Sequence, residues 1–206
     1  MPTPLLIASN NAHKVTELRE MLAGEDYDVL SPADAGLALE VDETGATFSE
    51  NARLKAEAFR ERTGLLSLAD DSGLVVDVLD GQPGVYSARY GGPSATDEVR
   101  NRMILKRLEA VPDSQRTARF VAAIAIAEPV AETVIFVGTV EGRIAQAPAG
   151  EHGFGYDPIF YYPPFGATLA QVSSVRKATV SHRGKALREA LSYLRGRQPH
   201  DILDGH

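Results

Sequence analysis

The sequence predicts an α/β fold built on a mixed sheet, and three observations carry that prediction. Short apolar runs alternate with stretches of helical periodicity, as where residues 5–8 (Leu-Leu-Ile-Ala) precede Val15, Leu18 and Leu22. Other apolar runs, 120–127 and 133–140, are separated by too few residues for a helical crossover, so part of the sheet pairs antiparallel. The chain is 206 residues long, with 44% hydrophobic and 24% charged residues, so it can bury a core without staples.

Residues 5–8 read as a short buried strand. They run into Ser9-Asn10-Asn11, whose side chains bond locally to backbone. The helix that follows carries Lys14 in its first turn. Such a unit aims loop amides and a helix N-terminus at one point, which attracts anions. Residues 27–30 predict a second strand. Thr47-Phe48-Ser49-Glu50 fits a capping box, and the helix it opens runs to about Arg62 and stops at Gly64. Its apolar stripe is Phe48, Ala52, Ala56 and Phe59. Asn51 and Lys55, four apart, meet beside that stripe.

Residues 65–69 predict a strand ending at Asp70-Asp71-Ser72-Gly73, and 74–79 the next strand, with Asp80-Gly81 as its turn. After the glycine-rich segment 84–92, residues 97–108 predict a helix packing through Val99, Met103 and Leu108. Residues 159–162 predict a further strand. The last helix starts near Ser181 and packs through Leu187, Ala190, Leu191 and Leu194. No repeat, low-complexity tract or interdomain linker is visible, and residues 197–206 read as a polar tail.

Several classes are set aside. The net charge of −7 argues against a nucleic-acid-coating surface. The absence of Cys removes disulfide and thiolate chemistry and suits a reducing compartment. No apolar run reaches the roughly 20 residues of a membrane span, and Met1-Pro2-Thr3-Pro4 does not open a signal peptide. The expectation is a cytoplasmic protein. There is no Walker-type phosphate loop, no dinucleotide fingerprint after a strand and no nucleophile elbow. His13, His152, His200 and His206 lack zinc-ligand spacing.

The chemistry-bearing residues gather in a few segments. Gly153-Phe154-Gly155-Tyr156-Asp157-Pro158, Lys177 and Ser181-His182-Arg183-Gly184-Lys185 place a ring and cationic donors among glycines, which suits a flat anionic ligand such as a nucleotide. Asp70-Asp71, at the end of an apolar strand, either forms an Asx turn or offers carboxylate oxygen to Mg²⁺ and a proton acceptor for water. Adjacent side chains on a strand point to opposite faces, so one of the two enters a site. Asp42-Glu43 is either a solvated loop or a second metal ligand. Lys14, Lys55, Arg89 and Lys177 are candidate phosphate partners. His182-Arg183 puts positive charge where the helix dipole disfavours it, which marks a candidate functional position.

Together these segments resemble the inosine triphosphate pyrophosphatase family. The resemblance runs from Leu5 to about Leu194 through six ordered motifs. These are Ser9-Asn10-Asn11-Ala12-His13-Lys14, Thr47 to Ala56, Ala69 to Leu74, Pro83 to Tyr90, Gly153 to Pro158 and Ser181 to Gly184. Arg176 and Asp42 depart from it, since relatives commonly carry Glu at both.

The resemblance implies an elongated, two-lobed fold over residues 1–196 with the active site in a central cleft. It implies Mg²⁺-dependent hydrolysis of ITP, dITP and XTP to the monophosphate and pyrophosphate, in a homodimer. Asp71 would be the catalytic base, and Asp71 with Asp42 or Glu43 the metal ligands. Substrate contacts would come from Ser9, Asn10, Asn11, Ala12, His13, Lys14, Lys55, Ser72, Arg89, Phe154, Gly155, Tyr156, Asp157, Lys177, His182 and Arg183. Phe154 would stack on the purine, and Asp157, His182 and Arg183 would read its edge. A non-catalytic nucleotide sensor and a pyrophosphatase for pyrimidine or canonical nucleotides are the competing expectations.

Overall fold

The computed structural model describes residues 2–196; the polar tail read at 197–206 lies outside them. In chain order the elements are β1 (Thr3–Ile7), α1 (Ala12–Leu22), β2 (Tyr27–Leu30), α2 (Phe48–Thr63), β3 (Leu66–Val76), α3 (Asp97–Arg107), β4 (Thr117–Ala127), β5 (Val134–Ile144), β6 (Phe160–Tyr162), β7 (Ala167–Thr168), α4 (Ser174–Val180) and α5 (His182–Gly196). The strands hydrogen-bond in the order β2-β1-β3-β4-β5-β6-β7. β1 runs parallel to β2 and β3, reached through α1 and α2, while β6 is antiparallel to β5 and β7. The sheet is therefore mixed, as the short connections require.

The chain divides into two compact units. Unit 1 holds the residues up to Asp71, Ala122–Gly138 and those from Arg183; unit 2 holds Ser72–Val121 and Thr139–His182. In unit 1, strand alternation sorts the core onto two faces. Leu5, Ile7, Leu66, Leu68, Ile124 and Ile126 pack with Val15, Leu18 and Leu22 of α1 and with Leu187, Ala190, Leu191 and Leu194 of α5. Leu6, Ala8, Ala69, Ala123, Ala125 and Ala127 pack with Ala52, Ala56 and Phe59 of α2. Alanines on both sides let α2 lie close to its strands, and each large apolar side chain buried opposite contributes about 1.5–3 kcal/mol.

α2 begins and ends where its local chemistry dictates. The Thr47 side chain accepts from Glu50 N while Glu50 returns a bond to the Thr47 backbone, and Gly64 closes the helix at φ 70°. A one-way N-cap opens α1, where Asn11 Oδ1 accepts from His13 N and Lys14 N.

In unit 2, Leu74, Val76, Ile104, Leu108, Phe120, Val140, Ile144, Ile159, Phe160 and Leu169 form one core with Tyr156 at its edge.

Three expectations are corrected. Asp70-Asp71-Ser72-Gly73 is no break between strands, because β3 runs unbroken from Leu66 to Val76 and ends before the 3-10 turn Asp77–Leu79. The carboxylates survive within a strand because cations neutralise them, and Leu74 N is satisfied by Ser87 Oγ at 2.9 Å. α3 buries Asn101 and Ile104, with Leu108 at its end, rather than Val99 and Met103, since polar Asn101 has a backbone partner to reach. α4 and β7 are additional to the predicted elements.

Candidate active site

Asp70 and Asp71 are consecutive on β3, and their carboxylates meet different partners. Asp70, fully buried, takes Lys14 Nζ at 2.8 Å and Arg183 Nη2 at 3.1 Å, with Arg183 Nε at 3.3 Å. Glu17 pairs with Arg183 through Nη1. Lys14 and Arg183 thus neutralise Asp70, and Arg183 is shared with Glu17. Burial pushes the Asp70 carboxyl up, but Arg183 and Lys14 outweigh it and hold it well below the usual carboxylate range. The same pairing, against the cost of burial, holds the Arg183 proton more tightly than usual.

Asp71 belongs to a second group. Lys55 Nζ donates to Asp71 Oδ1 at 3.0 Å, to Glu43 Oε1 at 2.7 Å and to the Asp70 carbonyl at 3.0 Å. Lys55 thus pairs with both carboxylates, and Asp71 Oδ2 is buried without a hydrogen-bond partner. Burial raises the Asp71 carboxyl above its ordinary value despite Lys55 and Lys14. Asp71 and Glu43 in turn keep Lys55 protonated against burial. A buried carboxylate with an unpartnered oxygen suits a hard divalent cation, which needs only one or two protein carboxylates when phosphates supply the rest. Asp42, beside Glu43, is exposed, so the structure brings Glu43 and not Asp42 to Asp71. Among the described residues no group of three or more His, Cys, Asp or Glu forms a cage by itself.

The segment 9–14 places its groups around the start of α1. Ser9 Oγ accepts from Asn11 N at 3.2 Å, and Asn10 Nδ2 donates to Leu39 O at 2.9 Å. Asn10, Asn11, Ala12 and His13 are exposed. Asn11 Oδ1 is used in capping α1, which fixes the shape of the loop.

In unit 2, Asp157 is the hub. Its Oδ2 accepts from Lys177 Nζ at 2.7 Å and from Phe154 N at 2.9 Å, with both members of the ion pair nearly fully buried. Lys177 Nζ also lies 5.0 Å from the centroid of the half-buried Phe154 ring. α4 supplies Lys177, and Ser173 caps that helix by accepting from Arg176 N. Gly153 at φ 72° and Gly155 at φ 64° give the loop its turns, and a Cβ at Gly153 would collide with the Asp157 carboxylate.

Tyr156 is buried, and its hydroxyl donates to Ser87 O at 2.9 Å. Burial raises its phenol above the ordinary value. His182 is buried with its ring stacked 4.8 Å from Phe120. Ser72 is half-buried, and Arg89 is exposed with its guanidinium 5.1 Å from the Tyr86 ring.

The chain's sequence matches a known family. The Ham1 family profile matches residues 5–193. The chain belongs to the Ham1 family. A dITP/XTP pyrophosphatase of Thermus thermophilus is 49% identical over 199 residues, covering 96% of this chain and 95% of that one. One from Exiguobacterium sp. is 48% identical, covering 93% and 99%. The Staphylococcus aureus Ham1 protein superposes with a TM-score of 0.85 at 41% identity, covering 95% of this chain and all of that chain.

Sequence reasoning missed four partners in this Ham1 chain. Glu17 lies three residues after Lys14, a spacing that puts both on one face of α1 and could have revealed it. Ser87 was visible only as part of a motif, with no sign that it bridges Leu74 N and Gly84 O. Asp97 and Asn101 lie in an ordinary-looking helix start, yet both reach the Gly155 backbone.

Proposed function

We propose that this chain is a nucleoside triphosphate pyrophosphatase that hydrolyses non-canonical purine nucleoside triphosphates, dITP, XTP and ITP, to the monophosphate and pyrophosphate. The observation that carries the reading is Asp71, a buried strand carboxylate with one oxygen held by Lys55 and the other unpartnered. It stands in a Ham1 chain whose relatives are named dITP/XTP pyrophosphatases.

Water attacks the α-phosphorus, the bond from that phosphorus to the bridging oxygen breaks, and pyrophosphate leaves with the electron pair. Asp71 accepts the proton of the attacking water. Its raised proton affinity brings it nearer the operating pH, where a general base works best. Asp71 and Glu43 would hold Mg²⁺, which when bound neutralises charge on the triphosphate oxygens. Lys14, Lys55 and Lys177, with Ser9 through His13, Ser72 and Arg89 beside them, bind the phosphates. Lys55 keeps its charge under burial, so it can offset charge on the leaving group.

Phe154 offers the face on which the base stacks, with Gly155 and Tyr156 shaping the loop. Asp157, His182 and Arg183 read the base edge. A 6-oxo group accepts from cationic donors, whereas the 6-amino group of adenine would leave them unpaired, a strong basis for rejection. The working form is a cytoplasmic homodimer acting on free nucleotides rather than on nucleic acid or membranes. No helix among the described residues is long and apolar enough to cross a membrane.

A panel of dITP, XTP, ITP, dATP, dGTP and dUTP, assayed with Mg²⁺ for pyrophosphate, tests the reading. The 6-oxo purines dITP and XTP should lead, and in H₂¹⁸O the label should enter the monophosphate. Orthophosphate as the product, label in pyrophosphate, or no turnover of any substrate would contradict it.

A further inference from the structure

Helix α3 holds the middle of the 153–157 loop through both backbone groups of Gly155. Asp97 Oδ2 accepts from Gly155 N at 2.7 Å, and Asn101 Nδ2 donates to Gly155 O at 3.0 Å. The two side chains are four residues apart and therefore share one face of α3. Gly155, at φ 64°, continues no helix or strand, so its N–H and C=O depend on such partners. Asp97 is itself fixed, because its Oδ1 accepts from Arg100 Nη2 at 2.9 Å while Arg100 Nη1 donates to Ala95 O.

The peptide that Asp97 grips joins Phe154 to Gly155. Phe154 is held on its other side by its own N–H, which donates to Asp157. With both flanking peptides anchored, the Phe154 backbone has little freedom to turn its ring. Asn101 is buried at 5% exposure, so its bond to Gly155 O is shielded from competing water.

We propose that Asp97 and Asn101 are positioning residues for base recognition, acting through Gly155 to hold the Phe154 ring where a purine stacks. The inference rests on the reading that this loop takes the base. Neither residue touches substrate. Their effect belongs to the affinity for the base, and not to the chemistry at the α-phosphorus.

The test compares Asp97→Ala, Asp97→Asn and Asn101→Ala in the full chain with Mg²⁺. Removing the acceptor should raise KM for dITP and XTP about 10-fold with kcat changed less than about 3-fold, the split expected when binding and not chemistry is lost. Inhibition by inorganic tripolyphosphate, which has no base, should be unchanged. Asp97→Asn keeps an oxygen acceptor and should restore KM. Hydrogen exchange at the Gly155 amide should accelerate in Asp97→Ala and not in Asp97→Asn, a readout independent of turnover.

A KM for dITP within about twofold of the parent despite accelerated exchange would overturn the positioning role alone. Tripolyphosphate inhibition weakened by the same factor as KM would do so too, by showing general damage to the site. A parent chain that released no pyrophosphate from dITP or XTP would instead bring down the functional reading, and the positioning role with it.

Discussion

In unit 1 the chemical groups are carboxylates on an interior strand, held in place by side-chain cations. In unit 2 they are a ring and a carboxylate on a glycine loop, held largely through its backbone. Asp70 and Asp71 owe their environments to Lys14, Arg183 and Lys55. The loop around Phe154 owes its shape to Asp97, Asn101 and Asp157, which bond to N–H and C=O groups that any residue would carry. The difference teaches that charge is tuned on a stiff strand, while a loop bearing a stacking face is tuned by fixing peptide planes. A change at Asp71 should therefore alter chemistry and pH behaviour, and one at Phe154 should alter selection.

The largest expected effect is at Asp71. Asp71→Asn keeps the shape but removes the proton acceptor, and kcat should fall about 10²–10⁴-fold with the unfolding midpoint little changed. Near-parent turnover in steady-state kinetics would move the base elsewhere and dissolve the contrast with Asp70.

Next comes the buried pair of unit 2. Lys177→Met or Asp157→Leu alone breaks a buried ion pair and should cost about 3–5 kcal/mol in urea unfolding. The double variant should recover most of that loss while still lacking base selection. Single variants as stable as the parent would mean the pair is not buried in solution.

Ser87→Ala should cost less, about 1–3 kcal/mol, because Leu74 N loses its acceptor within β3. Faster hydrogen exchange at Leu74 is the measurement, and unchanged protection would show that the strand is continuous for another reason.

Much of this was legible in sequence, for identifiable reasons. The capping box at Thr47 and the Gly64 stop are local chemistry, and so is the Asn11 cap. The apolar stripe of α5 follows from helical periodicity alone. Lys55 was marked by its place beside an apolar stripe, and it does reach Asp71 and Glu43.

What was not legible depended on contacts distant in sequence. The Asp70-Asp71-Ser72-Gly73 run looks like a turn until Ser87 and three cations are brought to it by the fold. Asp97 and Asn101 reach Gly155 from a segment far away in the chain, and nothing in their own surroundings announces it. α4 has only seven residues, too few for a periodic signal, although its Ser173 cap is a readable start.

The smallest expected effect is at Asp34, outside both groups. Bonds from the Ser31 side chain and backbone, with Arg19 beside them, lower its carboxyl to about 2. A lowered carboxyl contributes stability that is complete above its unfolded value near 3.8 and is lost as pH falls through about 2. Asp34→Asn should therefore be slightly less stable than the parent at neutral pH, and the gap should close below that window.

The proposed division between chemistry at Asp71 and base selection at Phe154 is tested most directly by one kinetic comparison. The quantity is kcat/KM on dITP and on dATP for the parent, Asp71→Asn and Phe154→Ala. Asp71→Asn should lower both substrates by the same factor and leave their ratio intact, while Phe154→Ala should lower dITP more than dATP and compress the ratio. A ratio changed by Asp71→Asn and preserved in Phe154→Ala would contradict that division.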